Sequence, residues 1–130
     1  MINIDETSYG YKITFEGFAQ KDDVEKLSQR LGQILSSRNS PFGMMVDLRA
    51  SRAIPADAQE QLMQGINYCT QYGMERCAVV VASAIAKIQA VRIAKETGIY
   101  ETTRYVDASA SPDWEKEALA WIKEAKDPES

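Results

Sequence analysis

The side chains that could do chemistry in this sequence are few. They are two thiols (Cys69 and Cys77), a carboxylate at the end of an apolar run (Asp47), and three arginines (Arg49, Arg52 and Arg104). The cysteines form neither a CxxC nor any metal-ligand spacing. Each falls at an apolar position of its segment, as expected of a buried structural thiol. No second carboxylate or base has a forced spacing to Asp47, so loop or helix capping is its simpler role. The arginines could gather near the carboxyl ends of two adjacent strands and hold an anion or an acidic partner. Solvated loop arginines are the commoner arrangement. The methionines Met44, Met45, Met63 and Met74, with Tyr68, surround one helix of the middle of the chain. Such soft, adaptable side chains suit an apolar pocket or a protein contact.

Histidine is absent from the 130 residues. That excludes Ser-His-Asp and Cys-His nucleophile arrangements and His-containing zinc sites, and removes the commonest general base near neutral pH. No GxGxxG, Walker A or EF-hand spacing occurs. The expectation is a non-enzymatic protein with no cofactor and no metal. The charge balance, 15 Lys+Arg against 19 Asp+Glu, gives −4. That argues against a phosphate-backbone binder, which needs a basic face, so nucleic acid is not an expected partner. With 45% apolar and 26% charged residues the composition is that of a globular domain. No signal-peptide pattern or membrane-length apolar run is visible, and the free cysteines suit a reduced compartment, so a cytoplasmic protein is expected.

The elements that must position these residues follow from hydrophobic period. Ile2–Asp5 and Tyr11–Phe18 alternate, with Ser8-Tyr9-Gly10 between them, and predict a hairpin. Its exposed edge would permit homodimers. Val24, Leu27, Leu31, Ile34 and Leu35 form the apolar face of a first helix. Phe42–Leu48 has no alternation and predicts a strand covered on both faces. Pro55 starts a second helix with Leu62, Ile66 and Cys69 on one face, closed at Tyr72-Gly73. Cys77–Ala82 is a buried strand. Ser83 caps a third helix, whose Ile85, Ile88, Val91 and Lys95 stem are expected on the core face, ending at Gly98. Tyr100–Val106 is a last strand, and Ser111-Pro112-Asp113 opens a fourth helix. There, Trp114, Ala118, Trp121 and Ile122 are expected to pack on the sheet. The order β-β-α-β-α-β-α-β-α predicts a single α/β domain over 1–125, with a mixed, largely parallel sheet and a frayed polar tail over 126–130.

Two segments in this order resemble a known family. Met44-Met45-Val46-Asp47-Leu48-Arg49-Ala50 followed by Ile54-Pro55-Ala56-Asp57-Ala58 resembles the central strand–loop–helix of STAS domains, the anti-sigma-factor-antagonist fold. Ala78–Ala82 through Ile85, Ile88 and Thr97-Gly98-Ile99-Tyr100 to Arg104-Tyr105 resembles the strand–helix–Gly–strand that follows. The Trp114–Ile122 segment is more similar to the SpoIIAA-like branch of bacterial proteins, related in fold to Sec14-type lipid-binding domains.

The resemblance implies a regulatory protein–protein interaction module, whose partner is an anti-sigma-factor-like kinase or another regulator. The surface it implies runs from Arg49 to Gln61 and comprises Arg49, Ser51, Arg52, Ala56, Asp57, Glu60 and Gln61. A gapless match puts Pro55 at the family's motif aspartate, Ala56 at the phosphoacceptor serine, Asp57 at the next serine and Ala58 at the glycine. Alanine has no hydroxyl, so phosphoryl transfer at Ala56 is chemically impossible. Asp57 is then either a built-in phosphate mimic or a first-turn carboxylate satisfying free N–H groups, the commoner role at such a position. Ser51 is a loop hydroxyl open to modification. The Sec14 relationship implies a different function, a carrier or sensor of a small apolar, lipid-like ligand. It predicts a pocket between the sheet and a displaceable helix, with Met44, Met63 and Tyr68 as candidate lining. A filled sheet would leave little room for one.

Overall fold

The computed structural model describes residues 1–129. Five strands, β1 (Ile2–Glu6), β2 (Gly10–Gly17), β3 (Phe42–Ser51), β4 (Met74–Val81) and β5 (Thr103–Asp107), form one sheet in sequential order. β1 is antiparallel to β2, and the other neighbours are parallel. The helices are α1 (Lys21–Leu35), α2 (Ala56–Gln71), α3 (Ala84–Thr97) and α4 (Trp114–Glu124). This is the α/β architecture expected, with β3 three residues longer than the apolar run at its carboxyl end.

Topology decides which face each helix covers. Parallel crossovers are right-handed, so three crossovers stepping the same way across the sheet put their helices on the same face. One core accordingly lies under α1, α2 and α3, built from Tyr11, Ile13, Phe15, Met44, Cys77, Val79 and Tyr105 with Val24, Leu27, Leu31 and Leu35. The alternate residues Met45, Ala78, Val80 and Val106 meet Ala118, Trp121 and Ile122 of α4 on the other face. β3 and β4 are thus buried on both sides, which is why their sequences read as runs without alternation. The indole N–H of Trp121 donates to the carbonyls of Cys77 and Thr102, at 3.1 and 3.3 Å, pinning α4 to the sheet.

The β1–β2 hairpin depends on one close approach. Gly10 has φ of 150°, and a Cβ there would lie 2.1 Å from the Gly43 carbonyl oxygen across the parallel pair. A side chain at this position would force β2 and β3 apart. β1 has a partner on one side only, as the expected hairpin edge requires. In the tail, Asp127 pairs with Arg104 Nε at 3.0 Å. Among the described residues no helix is long and apolar enough to cross a membrane.

Candidate functional site

An apolar cleft of about 130 Å³ separates the sheet from α2 and α3. Its walls are strand residues such as Ile13, Phe15, Met44, Val46 and Val79, facing Leu62 and Ile66 of α2 and Ala90 and Ile93 of α3. On β3 the lining runs from Met44 to Ser51, roughly 20 Å at the usual strand rise, so the space is long and narrow. Four lining residues are exposed: Arg52, Ala53, Ser83 and Ile85. They follow the carboxyl ends of β3 and β4, which are parallel neighbours and deliver their loops to the same edge. The mouth of the cleft is therefore at the carboxyl ends of the strands, where α/β folds place ligands.

The cleft exists because α3 presents small residues to the sheet. Ala86, Ala90, Ile93 and Ala94 form its inner stripe, and only Ile93 and Ala94 are buried. The expected core face of Ile85, Ile88, Val91 and the Lys95 stem holds only at Val91, which is half-buried against the core. Ile85 and Ile88 are 64% and 68% exposed, and Lys95 is exposed as well. Two polar bridges on the α2 side hold the helix in this rotation. Gln89 Oε1 accepts from the Ile54 N–H at 3.4 Å, and an Arg92 guanidinium N–H donates to Gln59 Oε1. The amide of buried Gln59 also donates to the Ile54 carbonyl at 2.7 Å, so one glutamine joins the mouth loop to both helices. Sequence reasoning missed Gln59, Gln89 and Arg92. The available signal was that a rotation burying the isoleucines would turn the alanine stripe outward, away from the sheet.

Of the pocket candidates, Met44 lines the cleft and is joined there by Met74, Cys69 and Cys77. Met63 and Tyr68 do not line it, which corrects that expectation. Tyr68 is 39% exposed, and its ring lies beside Gly32 of α1. The two thiols are free and buried, and burial pushes each up to about 12, so they line the cleft as neutral groups.

The arginines do not gather. Arg49 lies with Asp47, whose two carboxylate oxygens accept from Nε and Nη2 of Arg49 at 2.9–3.2 Å; its guanidinium sits 3.9 Å from the centre of the Trp114 ring. The Arg49 backbone N–H adds a bond of 3.0 Å to the same carboxylate. Burial alone would raise the Asp47 carboxyl, but these bonds hold it below the ordinary carboxylate value. Asp47 caps its own loop, as the simpler role required. Trp114 is half-buried and serves as a platform for Arg49 as well as packing on the sheet face. Arg104 starts β5, at the opposite end of the sheet, where it lies over the Trp121 ring and donates to the carbonyls of Glu101 and Thr103. Arg49 lies over Trp114, Arg52 follows β3 at the mouth of the cleft and Arg104 lies over Trp121 near the start of β5, so the three are held apart.

Along the interaction surface, Arg52, Ala56, Asp57 and Glu60 are exposed, while Ser51 and Gln61 are half-buried. The Ser51 hydroxyl donates to the Arg52 carbonyl at 2.8 Å. Asp57 Oδ1 accepts from the Ala58 N–H at 2.8 Å, so it meets a free N–H of the first turn of α2. No group of three or more Cys, Asp or Glu among the described residues is arranged to hold a metal ion.

No family model and no curated protein matches the sequence. Among solved structures, the chain is similar to an uncharacterised protein of the DUF3478 family with a SpoIIAA-like fold from Shewanella loihica PV-4. The likeness has a TM-score of 0.64 and 15% identity, and covers 94% of this chain and 92% of that one. At that identity it carries the fold and not a function: this protein has a single-domain SpoIIAA-like, or STAS-like, fold.

Proposed function

We propose that this protein is a non-enzymatic binding protein that carries or senses a small apolar, lipid-like molecule. The observation that supports it is the cleft: elongated, apolar, open at one edge and closed by a helix with an alanine inner face. Well-packed interiors have few voids larger than a water molecule, so a cleft of this length is a feature to be filled. A void of about 150 Å³ lined by Leu, Ile and Phe holds benzene, so the present space takes about six carbons before α3 moves. The Sec14-type relationship of the fold suits the same reading.

The test is native mass spectrometry of the protein isolated gently from its host, with a neutral phenylnaphthylamine dye titrated in parallel. A discrete added mass lost on denaturation, together with saturable dye fluorescence displaced by short alkanols, is the expected result. Protein of bare mass whose dye signal does not saturate would defeat the reading.

A second reading, the regulatory interaction module, is favoured by the exposure of Ala56, Asp57 and Glu60 on the first turns of α2. It predicts that Asp57→Arg abolishes binding of a protein partner and leaves the thermal midpoint nearly unchanged. Unaltered binding would remove Asp57 from the interface.

A further inference from the structure

The cleft is apolar along its length but not neutral at its mouth. Arg52 is the one residue with a formal charge among its lining, and no carboxylate lines it. The loop is fixed there, because the Arg52 backbone N–H donates to the Gly17 carbonyl at 2.9 Å. The other polar groups at this end are committed within the protein. The Ser51 hydroxyl donates to a carbonyl, Ser83 Oγ accepts from the Ala86 N–H at 3.1 Å, and Gln89 Oε1 accepts from Ile54. The Arg52 side chain has neither a hydrogen bond nor an ion pair among the described residues. The arginines at Arg49 and Arg104, by contrast, each hold a carboxylate.

We infer that the ligand is a single-chain amphiphile with an anionic head, its alkyl tail in the cleft and its carboxylate or similar oxyanion on the Arg52 guanidinium. This deepens the proposed function and rests on it. A slot of this length takes an alkyl chain along the sheet, and a lone guanidinium at the open end selects against ammonium heads. The mouth is wet, so the charge contributes selectivity while the tail contributes most of the binding. Asp57 and Glu60 lie outside the lining and leave the cation at the mouth unopposed within it.

Calorimetric titration of the whole protein with octanoate, octanol and octylamine separates head from tail, because the three share one chain. Octanoate is expected to bind about ten-fold tighter than octanol, with octylamine weakest. Arg52→Gln should bring octanoate down to about the affinity of octanol, and Arg52→Lys should restore part of the margin. Equal binding of octanoate and octanol to the wild type, or an octanoate affinity indifferent to Arg52→Gln, would overturn the head-group inference and leave the cleft reading standing. If none of the three binds the wild type, both fall together. The comparison among heads needs no variant, so a poorly folding Arg52→Gln does not rescue the idea.

Discussion

Ala90→Leu distinguishes an open cleft from a packed core by the sign of its effect. Ala90 lies on the inner stripe of α3, half-buried and lining the space. Leucine adds three carbons, half the content of a benzene-sized void, to a volume of about 130 Å³. At about 0.8 kcal/mol per buried methylene, a side chain that enters the cleft without strain stabilises by about 2 kcal/mol. Helix propensity contributes little, since alanine and leucine are both good formers. In a filled core the same change would overpack and cost about 1–3 kcal/mol. For a chain of this length the expected rise in thermal midpoint is about 6–10 °C, read by calorimetry or circular dichroism. Dye binding should be lost in the same variant. A lowered midpoint, or a raised one with dye binding intact, would refute the claim that this space is the binding cleft.

Three further outcomes follow from the site and the sheet. The Asp47 carboxyl is lower folded than unfolded, so its contribution is complete above the ordinary value near about 4 and is lost as pH falls through the folded value. Asp47→Asn should flatten that acid-side decline in urea midpoints below about pH 4, and an unchanged slope would mean that Arg49 does not hold it. Gly10→Ala should abolish folding or cost more than about 3 kcal/mol, because its Cβ meets the Gly43 carbonyl at 2.1 Å. Gly17→Ala, also at positive φ but with nothing within 4 Å, should cost only about 1 kcal/mol, and equal losses would refute the close-approach argument. With thiols near 12, ionisation at pH 8 is on the order of one part in ten thousand, so a disulfide reagent should label Cys69 and Cys77 only as the protein opens. Fast labelling of the folded protein would contradict their burial.

How much of this was legible in the sequence depended on whether a signal was local. Element order was readable because strands buried on both faces, such as Met44–Leu48, carry no alternation, while α1 carries a clear helical stripe. The cleft was not readable, because its decisive residues are alanines. Ala86, Ala90 and Ala94 look like helix formers with no side to them, and the isoleucines at 85 and 88 drew the core face to the wrong side of α3. Its true rotation is set by Gln89 and Arg92 reaching residues some thirty positions earlier. Pair geometry of that kind leaves no periodic trace. The arginines failed for a related reason: a sequence places Arg104 near a strand but does not say which end of the sheet it occupies.

The two functional readings are physically connected through α3. By the cavity scale of about 24 cal/mol per Å³, an empty cleft of this volume forgoes about 3 kcal/mol, a large share of the 5–15 kcal/mol that stabilises an ordinary domain. A guest at one hundred times its dissociation constant returns about 2.7 kcal/mol, a comparable amount. A guest longer than about six carbons must also displace α3, and the helix cannot move without carrying Gln89 and Arg92. Both bridges end within Ile54–Gln59, the segment that contains Ala56 and Asp57. Linkage then requires that a guest which shifts α3 and a protein bound at Asp57 alter each other's affinity by the same factor. A carrier that merely solubilises its cargo has no need of that connection, whereas a sensor works through it. The position of the two glutamines, one on each helix and both holding the Ile54 backbone, favours the sensor.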